Sequence, residues 1–241
     1  MTKRLEVRNV SVTVDGTRLL EDVTFDLGVG ERLVIIGPNG AGKTVLLKSL
    51  LDLMPHAGDI VWAPDARIGY VPQKIDADRH LPITYKDLFV SKCRVAGEPI
   101  ARIGDVIRDV GISRKILDTP VGHLSGGQFQ LGLMAFALIG RPNVLILDEP
   151  TASVDEPGEE HIYSLIERLQ HEYDLSIIAV THDMSFVYRE ATRVLCLNRR
   201  AVCVGTPEAI TPDVLAELYG ESQSFYRHHH HEHNAPEDGR V

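Results

Sequence analysis

Cysteine is scarce in this sequence, with three residues among 241, Cys93, Cys196 and Cys203. Their odd number and the lack of any CxxC spacing argue against a framework of disulfides. Chains without such a framework are typical of reducing compartments. We therefore expect buried thiols and a cytosolic protein.

Long apolar runs are also missing. The longest apolar-rich stretch covers residues 131–140, about half the length that a membrane-spanning helix needs. The N-terminus carries basic residues, but no apolar segment of the kind found in signal peptides follows them. The sequence predicts a chain that does not cross a bilayer by itself and a buried helix at 131–140.

Positive charge is not in excess, because 25 Lys and Arg against 34 Asp and Glu give a formal net charge of −9. Proteins that bind nucleic acid through its phosphates concentrate Lys and Arg on one face, so nucleic acid is not an expected partner. No repeat of roughly 20–50 residues is found, which excludes solenoids and propellers. The 44% of apolar residues can fill the core of one α/β unit with an inserted subdomain.

Alternating residues at 4–14 and 19–27 flank the turn signal Asp15-Gly16 and predict an antiparallel hairpin. Continuous apolar strands are predicted at 32–37, 143–150 and 175–183, and such strands are typical of parallel sheets covered on both faces. Shorter strands are expected at 59–63, 67–71 and within 194–205. Helical spacing covers 44–54 and 84–117, the latter interrupted at Gly97 and Pro99, and short helices are expected at 206–210 and 211–220. Beyond Gly220 the polar composition predicts disorder.

A glycine-rich stretch between a predicted strand and a predicted helix matches the phosphate-loop pattern GxxxxGK[ST]. Its glycines allow backbone N–H groups to converge on phosphate oxygens at a helix N-terminus. We expect Lys43 to reach the outer phosphates and the Thr44 hydroxyl to hold Mg²⁺. The predicted polyphosphate site comprises Gly37, Pro38, Asn39, Gly40, Ala41, Gly42, Lys43 and Thr44.

Two adjacent carboxylates, Asp148 and Glu149, end a buried apolar strand. Ligands of open α/β sheets bind at the carboxyl ends of strands. We expect Asp148 to hold Mg²⁺, directly or through a water, and Glu149 to orient and polarise the water that attacks the terminal phosphorus.

The stretch LSGGQ offers the N–H groups of Ser125, Gly126 and Gly127 at the start of a predicted helix, without any cationic side chain. Combined with the phosphate loop, LILDEP, YVPQ around Gln73 and VTHD around His182, it resembles the ATP-binding cassette (ABC) ATPases over residues 5–220. The resemblance implies a P-loop α/β fold with a mostly parallel, RecA-like core sheet and an N-terminal antiparallel β subdomain. It also implies one ATPase domain at 1–220, with a helical subdomain inserted at about 75–140.

Two cassettes of this family sandwich two nucleotides, so the resemblance implies that a second copy of the chain is a partner. Ser125, Gly126, Gly127 and Gln128 would then contact the ATP of the other copy. The resemblance also implies catalysis by Glu149 and His182, with His182 at the γ-phosphate and the attacking water. Gln73 would sense Mg²⁺ and the water, and Mg²⁺ would be bound by Thr44, Gln73 and Asp148. Asp155 would communicate across the dimer.

The family receives its membrane partner at the helical insertion after Gln73. A chain with one cassette and no membrane span resembles the separate ATPase subunit of an importer, placed at the cytoplasmic face of the membrane beside an integral membrane permease. The alternatives that the sequence leaves open are an importer ATPase for a non-metal substrate and a metal-buffering module without transport. A regulatory GTPase is disfavoured because no NKxD-type guanine reader is found.

Three positions depart from the family pattern. Val14 occupies the hairpin position that usually carries an aromatic ring under the adenine, which weakens stacking there. Leu131 and Phe136 stand where the family commonly has arginines, so we expect a helix held by apolar packing instead of salt bridges.

The C-terminal residues 221–241 form a polar, histidine-rich tail whose imidazoles are suited to Zn²⁺ and related ions. This run and the stretches at 70–84 and 194–208 resemble ATPases from zinc and manganese importers, the zinc branch most of all. The resemblance implies a zinc importer with an extracytoplasmic metal-binding protein as an indirect partner and a tail that buffers or senses metal. The predicted tail ligands are His228, His229, His230, His231 and His233.

Overall fold

The computed structural model describes residues 2–73, 82–152 and 154–220. Its strands in this part of the chain are β1 (Lys3–Val14), β2 (Thr17–Gly28), β3 (Arg32–Ile36), β4 (Ala57–Trp62), β5 (Ile68–Val71), β6 (Val144–Asp148), β7 (Ser176–Val180), β8 (Arg193–Asn198) and β9 (Arg200–Gly205). Its helices there are α1 (Lys43–Leu50), α2 (Tyr85–Ala96), α3 (Arg102–Val110), α4 (Gly126–Leu138), α5 (Glu156–Tyr173), α6 (Met184–Glu190) and α7 (Pro212–Tyr219).

The core is a sheet in the order β5-β6-β7-β3-β8-β9, parallel except for the antiparallel pair β8 and β9. Every residue of β3, β6 and β7 is buried. In β3, Val34 and Ile36 face one apolar cluster while Leu33 and Ile35 face a second one. A strand that is covered on both faces has no need of polar alternation, and the predicted mostly parallel core sheet is confirmed.

The N-terminal sheet has the order β2-β1-β4 and is antiparallel throughout. Its strands alternate buried and exposed positions, because only one face packs against α1 and the core sheet. The predicted hairpin and the antiparallel β subdomain are confirmed. The predicted strand at 59–63 becomes β4 and adds the third strand of this sheet.

Three helices, α2, α3 and α4, pack on one face of the core sheet. Helix α2 begins at a capping box in which the Thr84 hydroxyl accepts from the Asp87 N–H, and it ends at Gly97 as the sequence predicts. The predicted buried helix at 131–140 is the greater part of α4. Part of the predicted helical subdomain, residues 75–81, lies outside the described residues.

Two short helices differ from their predicted lengths. Helix α1 ends at Leu50, short of Met54, because Leu51 caps it and Asp52 takes a left-handed backbone conformation with φ 56°. The predicted helix at 206–210 is a single 3₁₀ turn, Pro207–Ala209. The predicted helix at 211–220 is α7, which begins at the Thr211 cap.

The expectation of three free thiols is wrong for two of the cysteines. Cys196 of β8 and Cys203 of β9 are directly opposite each other in the antiparallel register, with Cα atoms 4.8 Å apart, and they form a disulfide. Cys93 is free and buried in the core. The sequence predicts the two strands but not their register, and the register is what places the two sulfurs side by side.

No helix within residues 2–73, 82–152 and 154–220 combines the length and the hydropathy that a membrane span requires.

Candidate nucleotide site

A cavity of about 550 Å³ opens at the edge of the core sheet where β3, β6 and β7 end. It brings together the phosphate loop, Gln73, Glu149 and His182, as the sequence predicts. Of the described residues predicted for this site, Gly37, Pro38 and Asp148 do not line the cavity. The lining residues are Leu19, Asn39, Gly40, Ala41, Gly42, Lys43, Thr44, Val45, Gln73, Glu149 and His182.

Lys43 lies on the floor of the cavity and is 6% exposed. Its ammonium donates to the carbonyl oxygens of Gly37 at 2.8 Å and Pro38 at 3.1 Å. Burial lowers the pKa of Lys43, while the nearby carboxylates of Glu149 and Asp148 act in the opposite direction. The loop thus concentrates positive charge and backbone N–H groups where phosphates bind.

The phosphate loop is held from behind by the β8 and β9 hairpin and by α7. A Cβ on Gly37 would lie 2.0 Å from the carbonyl oxygen of Leu197, so only glycine fits at this close approach. Burial raises the pKa of Tyr219 in α7, and an interaction of its hydroxyl with the Gly37 backbone acts in the opposite direction. The Ala41 carbonyl accepts from the Arg199 N–H at 2.8 Å. These contacts fix the start and the middle of the loop.

Asp148 ends β6 and is 2% exposed. Its Oδ2 accepts from the Thr44 hydroxyl at 3.3 Å, while its Oδ1 has no hydrogen-bond partner among the described residues. Burial raises the pKa of Asp148, an effect that the Thr44 hydroxyl and Lys43 partly offset. A buried carboxylate oxygen without a donor, next to a hydroxyl, fits a hard cation such as Mg²⁺. The donor set therefore agrees with the predicted metal position.

Glu149 leaves the strand in the left-handed region, with φ 48°. Its N–H donates to the carbonyl oxygen of Val180 at 3.0 Å, which keeps the turn against β7. The turn points the Glu149 carboxylate into the cavity, away from that of Asp148. There it accepts from the Gln73 amide on one oxygen and lies 2.6 Å from His182 Nε2 on the other.

Glu149, Gln73 and His182 therefore form one polar cluster that links the ends of β5, β6 and β7. The Glu149 side chain is 17% exposed and that of His182 is 44% exposed. A carboxylate fixed by two neighbours at an open cavity has the placement required of a group that orients a water.

The predicted signature residues lie elsewhere. Ser125 caps α4, its hydroxyl accepting from the Gln128 N–H at 3.3 Å while the Gln128 side chain accepts from the Ser125 N–H. Within the described residues this turn contributes nothing to the lining of the cavity. Ser125, Gly126 and Gln128 are exposed, and Asp155 is exposed at the start of α5. The predicted tail histidines lie outside the described residues.

Leu19 is a lining residue that the sequence reading missed. It lies in β2 beside the phosphate loop, where its carbonyl oxygen would be 3.0 Å from a Cβ on Gly42. A leucine in a strand of alternating residues gives no indication from sequence alone that it lines a binding cavity. Val14, in β1, is 41% exposed, and the cavity lining as described does not include it. The apolar residue of the hairpin that borders the cavity is instead Leu19, in β2.

The apolar packing expected for α4 is confirmed. Phe136 lies 6.3 Å from Phe89, measured between ring centroids, and Lys92 lies over the Phe136 ring at 5.3 Å. Leu131 packs against the same core cluster. Contacts between rings and aliphatic side chains hold the helix that carries the signature turn.

The profile of the ABC transporter family matches residues 20–152. The chain therefore belongs to the ABC family, and it is an ATPase of the ABC type. Similar curated proteins include zinc import ATP-binding proteins named ZnuC. The one from Pseudomonas syringae pv. syringae (strain B728a) is 37% identical, with 98% of this chain and 90% of the relative covered. The one from Yersinia enterocolitica serotype O:8 / biotype 1B is 39% identical, with 97% and 94% covered.

Solved structures share the fold. A chain from an inward-facing ABC transporter, assigned to the metal-chelate type, superposes with a TM-score of 0.81 at 24% identity, covering 90% of this chain and 89% of the other. A dimeric ATP-binding cassette in a post-hydrolysis state with ADP and phosphate superposes with a TM-score of 0.74 at 21% identity, covering 84% and 98%. At these identities the likeness establishes the fold.

Proposed function

We propose that this chain is the ATP-hydrolysing subunit of a zinc importer, acting at the cytoplasmic face of the membrane on a separate integral membrane permease. The observation that carries the ATPase part is the single cavity that unites the phosphate loop, Gln73, Glu149 and His182. The zinc cargo is supported by relatives named zinc import ATP-binding proteins over nearly the whole chain.

The phosphate loop would bind the polyphosphate of ATP through its N–H groups and Lys43. The free oxygen of Asp148 and the Thr44 hydroxyl would hold Mg²⁺, with the amide of Gln73 as a further donor. When bound, Mg²⁺ neutralises charge on the phosphate oxygens. The burial of Lys43 strengthens its attraction for phosphate, because the local dielectric is low.

Hydrolysis needs a water in line with the terminal phosphorus. The Glu149 carboxylate would accept a hydrogen bond from that water and polarise it. His182, 2.6 Å from Glu149, would hold this carboxylate in place and contact the γ-phosphate from its exposed side. In this arrangement Gln73 links the water-orienting group to the metal, since it already contacts the Glu149 side chain.

A second copy of the chain would complete the site. The signature turn at Ser125, Gly126 and Gly127 would bind the γ-phosphate held by the partner through backbone N–H groups, that of Ser125 on release from the Gln128 side chain. Asp155, exposed beside this turn, would contact the partner's loop. Two copies would close around ATP and separate after hydrolysis. The permease would follow this change because its own two conformations differ in affinity for the closed and the separated pair.

The histidine-rich tail would hold transition-metal ions through His228, His229, His230, His231 and His233. Imidazole suits Zn²⁺, and this run has more donors than one tetrahedral site requires. Among residues 2–73, 82–152 and 154–220 there is no group of three or more His, Cys, Asp or Glu side chains able to hold a metal ion. The tail is therefore the candidate for metal buffering or sensing. An extracytoplasmic metal-binding protein would deliver zinc to the permease.

The test is radioactive zinc uptake in cells that depend on this chain for zinc. Glu149→Gln keeps the size of the side chain and removes its charge, so uptake should be lost while the amount of protein is unchanged. Manganese uptake is measured in parallel, and a variant ending at Gly220 should transport zinc but lose its response to cytosolic metal.

Unchanged zinc uptake with Glu149→Gln would favour the metal-buffering module over a transport ATPase. Uptake that prefers manganese, or no metal uptake at all, would move the cargo away from zinc. A response to metal that survives truncation at Gly220 would remove the sensing role of the tail.

A further inference from the structure

Three hydroxyl groups meet behind the nucleotide cavity, inside the protein. The hydroxyl of Tyr163, in α5, lies 3.3 Å from that of Thr151 and 3.4 Å from that of Thr181. The three residues are 4%, 8% and 4% exposed, in that order. None of these three is among the described residues that line the cavity. A buried cluster of hydroxyls outside the cavity lining calls for another role.

One end of the cluster belongs to the loop that carries Glu149. Thr151 follows Glu149 by two residues, in a turn closed by the Ala152 N–H, which donates to the Glu149 carbonyl at 3.2 Å. A shift of Thr151 therefore shifts the backbone from which the Glu149 carboxylate projects.

The other end belongs to the loop that carries His182. Thr181 directly precedes His182, and its hydroxyl accepts from the Asp183 N–H at 3.1 Å. Across the cavity, His182 and Glu149 are in contact at 2.6 Å. The two loops are thus joined twice, in front by their functional side chains and behind by Tyr163.

The Tyr163 ring is itself firmly placed. It stacks on Phe186 of α6, with ring centroids 4.1 Å apart and an interplanar angle of 20°. Burial raises the pKa of Tyr163, so its hydroxyl keeps its proton at neutral pH. A rigid ring fixes the position of that hydroxyl, which both donates and accepts hydrogen bonds.

We propose that Tyr163 is a positioning residue for ATP hydrolysis, whose hydroxyl holds the Glu149 and His182 loops at a fixed separation. It acts through the two loops and not on the nucleotide, because its hydroxyl faces Thr151 and Thr181. Its contribution belongs to turnover, and binding of ATP at the phosphate loop is independent of it. The inference rests on the ATPase activity and not on the metal cargo.

The first test is Tyr163→Phe in the full-length protein, assayed for ATP hydrolysis and for binding of a fluorescent ATP analogue. This change removes one oxygen and keeps the stacked ring. Loss of a positioning hydrogen bond should lower kcat by about threefold to tenfold, with KM and the stoichiometry of nucleotide binding unchanged. Tyr188→Phe, on an exposed tyrosine of α6, is the matched control.

The second test distinguishes positioning from general stability. Thr181→Val removes the hydroxyl at the other end and should reproduce the loss, whereas Thr181→Ser keeps the hydroxyl and should restore activity. Tyr163→Phe combined with Thr181→Val should be no worse than Thr181→Val alone, because that change already breaks the bridge through Tyr163.

An unchanged kcat for both Tyr163→Phe and Thr181→Val would overturn the proposal. Losses of kcat that add up in the double variant and parallel the drop in unfolding temperature would overturn it too. Should Tyr163→Phe fail to fold, the Thr181 pair decides the question. A wild-type protein that hydrolyses no ATP would instead count against the proposed function, so the two failures are distinguishable.

Discussion

The phosphate-loop edge of the core sheet and the signature turn before α4 differ in how their functional groups are satisfied. At the edge, Lys43 and Glu149 line one cavity, and Asp148 is buried against Thr44 of the same lining. Each of the three touches other groups of the same chain. At the signature turn, Ser125 and Gln128 satisfy each other and face outward. The edge carries charge that needs a ligand, whereas the turn offers neutral N–H groups.

This difference supports the proposal that one chain supplies only half of each site. Charged groups need a rigid, low-dielectric setting to act on phosphates, and the buried ends of β3 and β6 provide it. Backbone N–H groups at a helix start act wherever a phosphate meets them. A surface that brings only neutral donors can be supplied by a second copy without the desolvation of a charged side chain.

The largest effect is expected from disabling the two regions separately. Lys43→Met removes the ammonium at similar size and should abolish both ATP binding and hydrolysis. Gly127→Asp places a carboxylate toward the partner's phosphate and should abolish hydrolysis while its own phosphate loop still binds ATP. Each variant alone is inactive, but their mixed dimer has one intact site, so mixing them should restore activity measured by phosphate release.

Two controls accompany this experiment. Lys48→Met changes an exposed lysine of α1 and should leave activity intact. Gly127→Ala adds a Cβ whose nearest neighbour, a Val154 methyl, is 3.9 Å away, so it fits within its own chain. If the mixture of Lys43→Met and Gly127→Asp is as inactive as each variant alone, the two copies do not share a site. The contrast between the phosphate-loop edge and the signature turn would then have no functional meaning.

A smaller effect is expected at Asp148, where a buried negative charge favours binding of Mg²⁺ but lowers the stability of the fold. Its pKa is raised in the folded protein, so the ionised form destabilises the fold when no cation is bound. This penalty is fully present above the folded pKa and disappears below the unfolded one. Asp148→Asn should thus raise the unfolding temperature near neutral pH, by about 2–4 °C for each ~1 kcal/mol relieved, and lose Mg²⁺-dependent ATP binding.

Calorimetry in the presence of a chelator checks this expectation. The stability advantage of Asp148→Asn should shrink as the pH falls toward the usual range of a carboxyl group. A variant less stable than wild type at neutral pH would mean that Asp148 is satisfied by its neighbours without a cation.

The smallest effect is expected from Tyr219→Phe, which removes the hydroxyl that interacts with the Gly37 backbone and keeps the ring at the end of α7. We expect the KM for ATP to rise about twofold to fivefold, as befits one hydrogen bond to a loop that other contacts also hold. Steady-state kinetics give this number. A variant ending at Gly220 keeps Tyr219 and should leave KM unchanged, whereas an equal rise in both would assign the effect to the tail.

The sequence predicts the parts of the site that follow from local patterns. Apolar strands that run into glycines or acidic residues identify the phosphate loop and the pair Asp148 and Glu149. The structure places the loop, Glu149 and His182 in one cavity, with Asp148 hydrogen-bonded to Thr44 of its lining. Their meeting follows from the parallel sheet, since the carboxyl ends of its strands share one edge.

The parts that could not be predicted depend on contacts between distant segments. Tyr163 reads as one more apolar position in the buried stripe of α5, and its hydroxyl acquires meaning only when Thr151 and Thr181 are placed beside it. Likewise, Cys196 and Cys203 look like separate small core residues until the register of β8 and β9 pairs them. Composition and periodicity specify which face is buried, but not which buried atoms touch.

The left-handed backbone at Glu149 limits what any substitution at this position can reveal. Glycine, asparagine and aspartate adopt that conformation readily, whereas valine, isoleucine and threonine are strongly disfavoured there. Inactive β-branched variants would therefore combine a folding defect with a chemical one. Across all replacements of this residue, the ranking by thermal resistance should depart from the ranking by turnover, with glycine near the top of the first and near the bottom of the second.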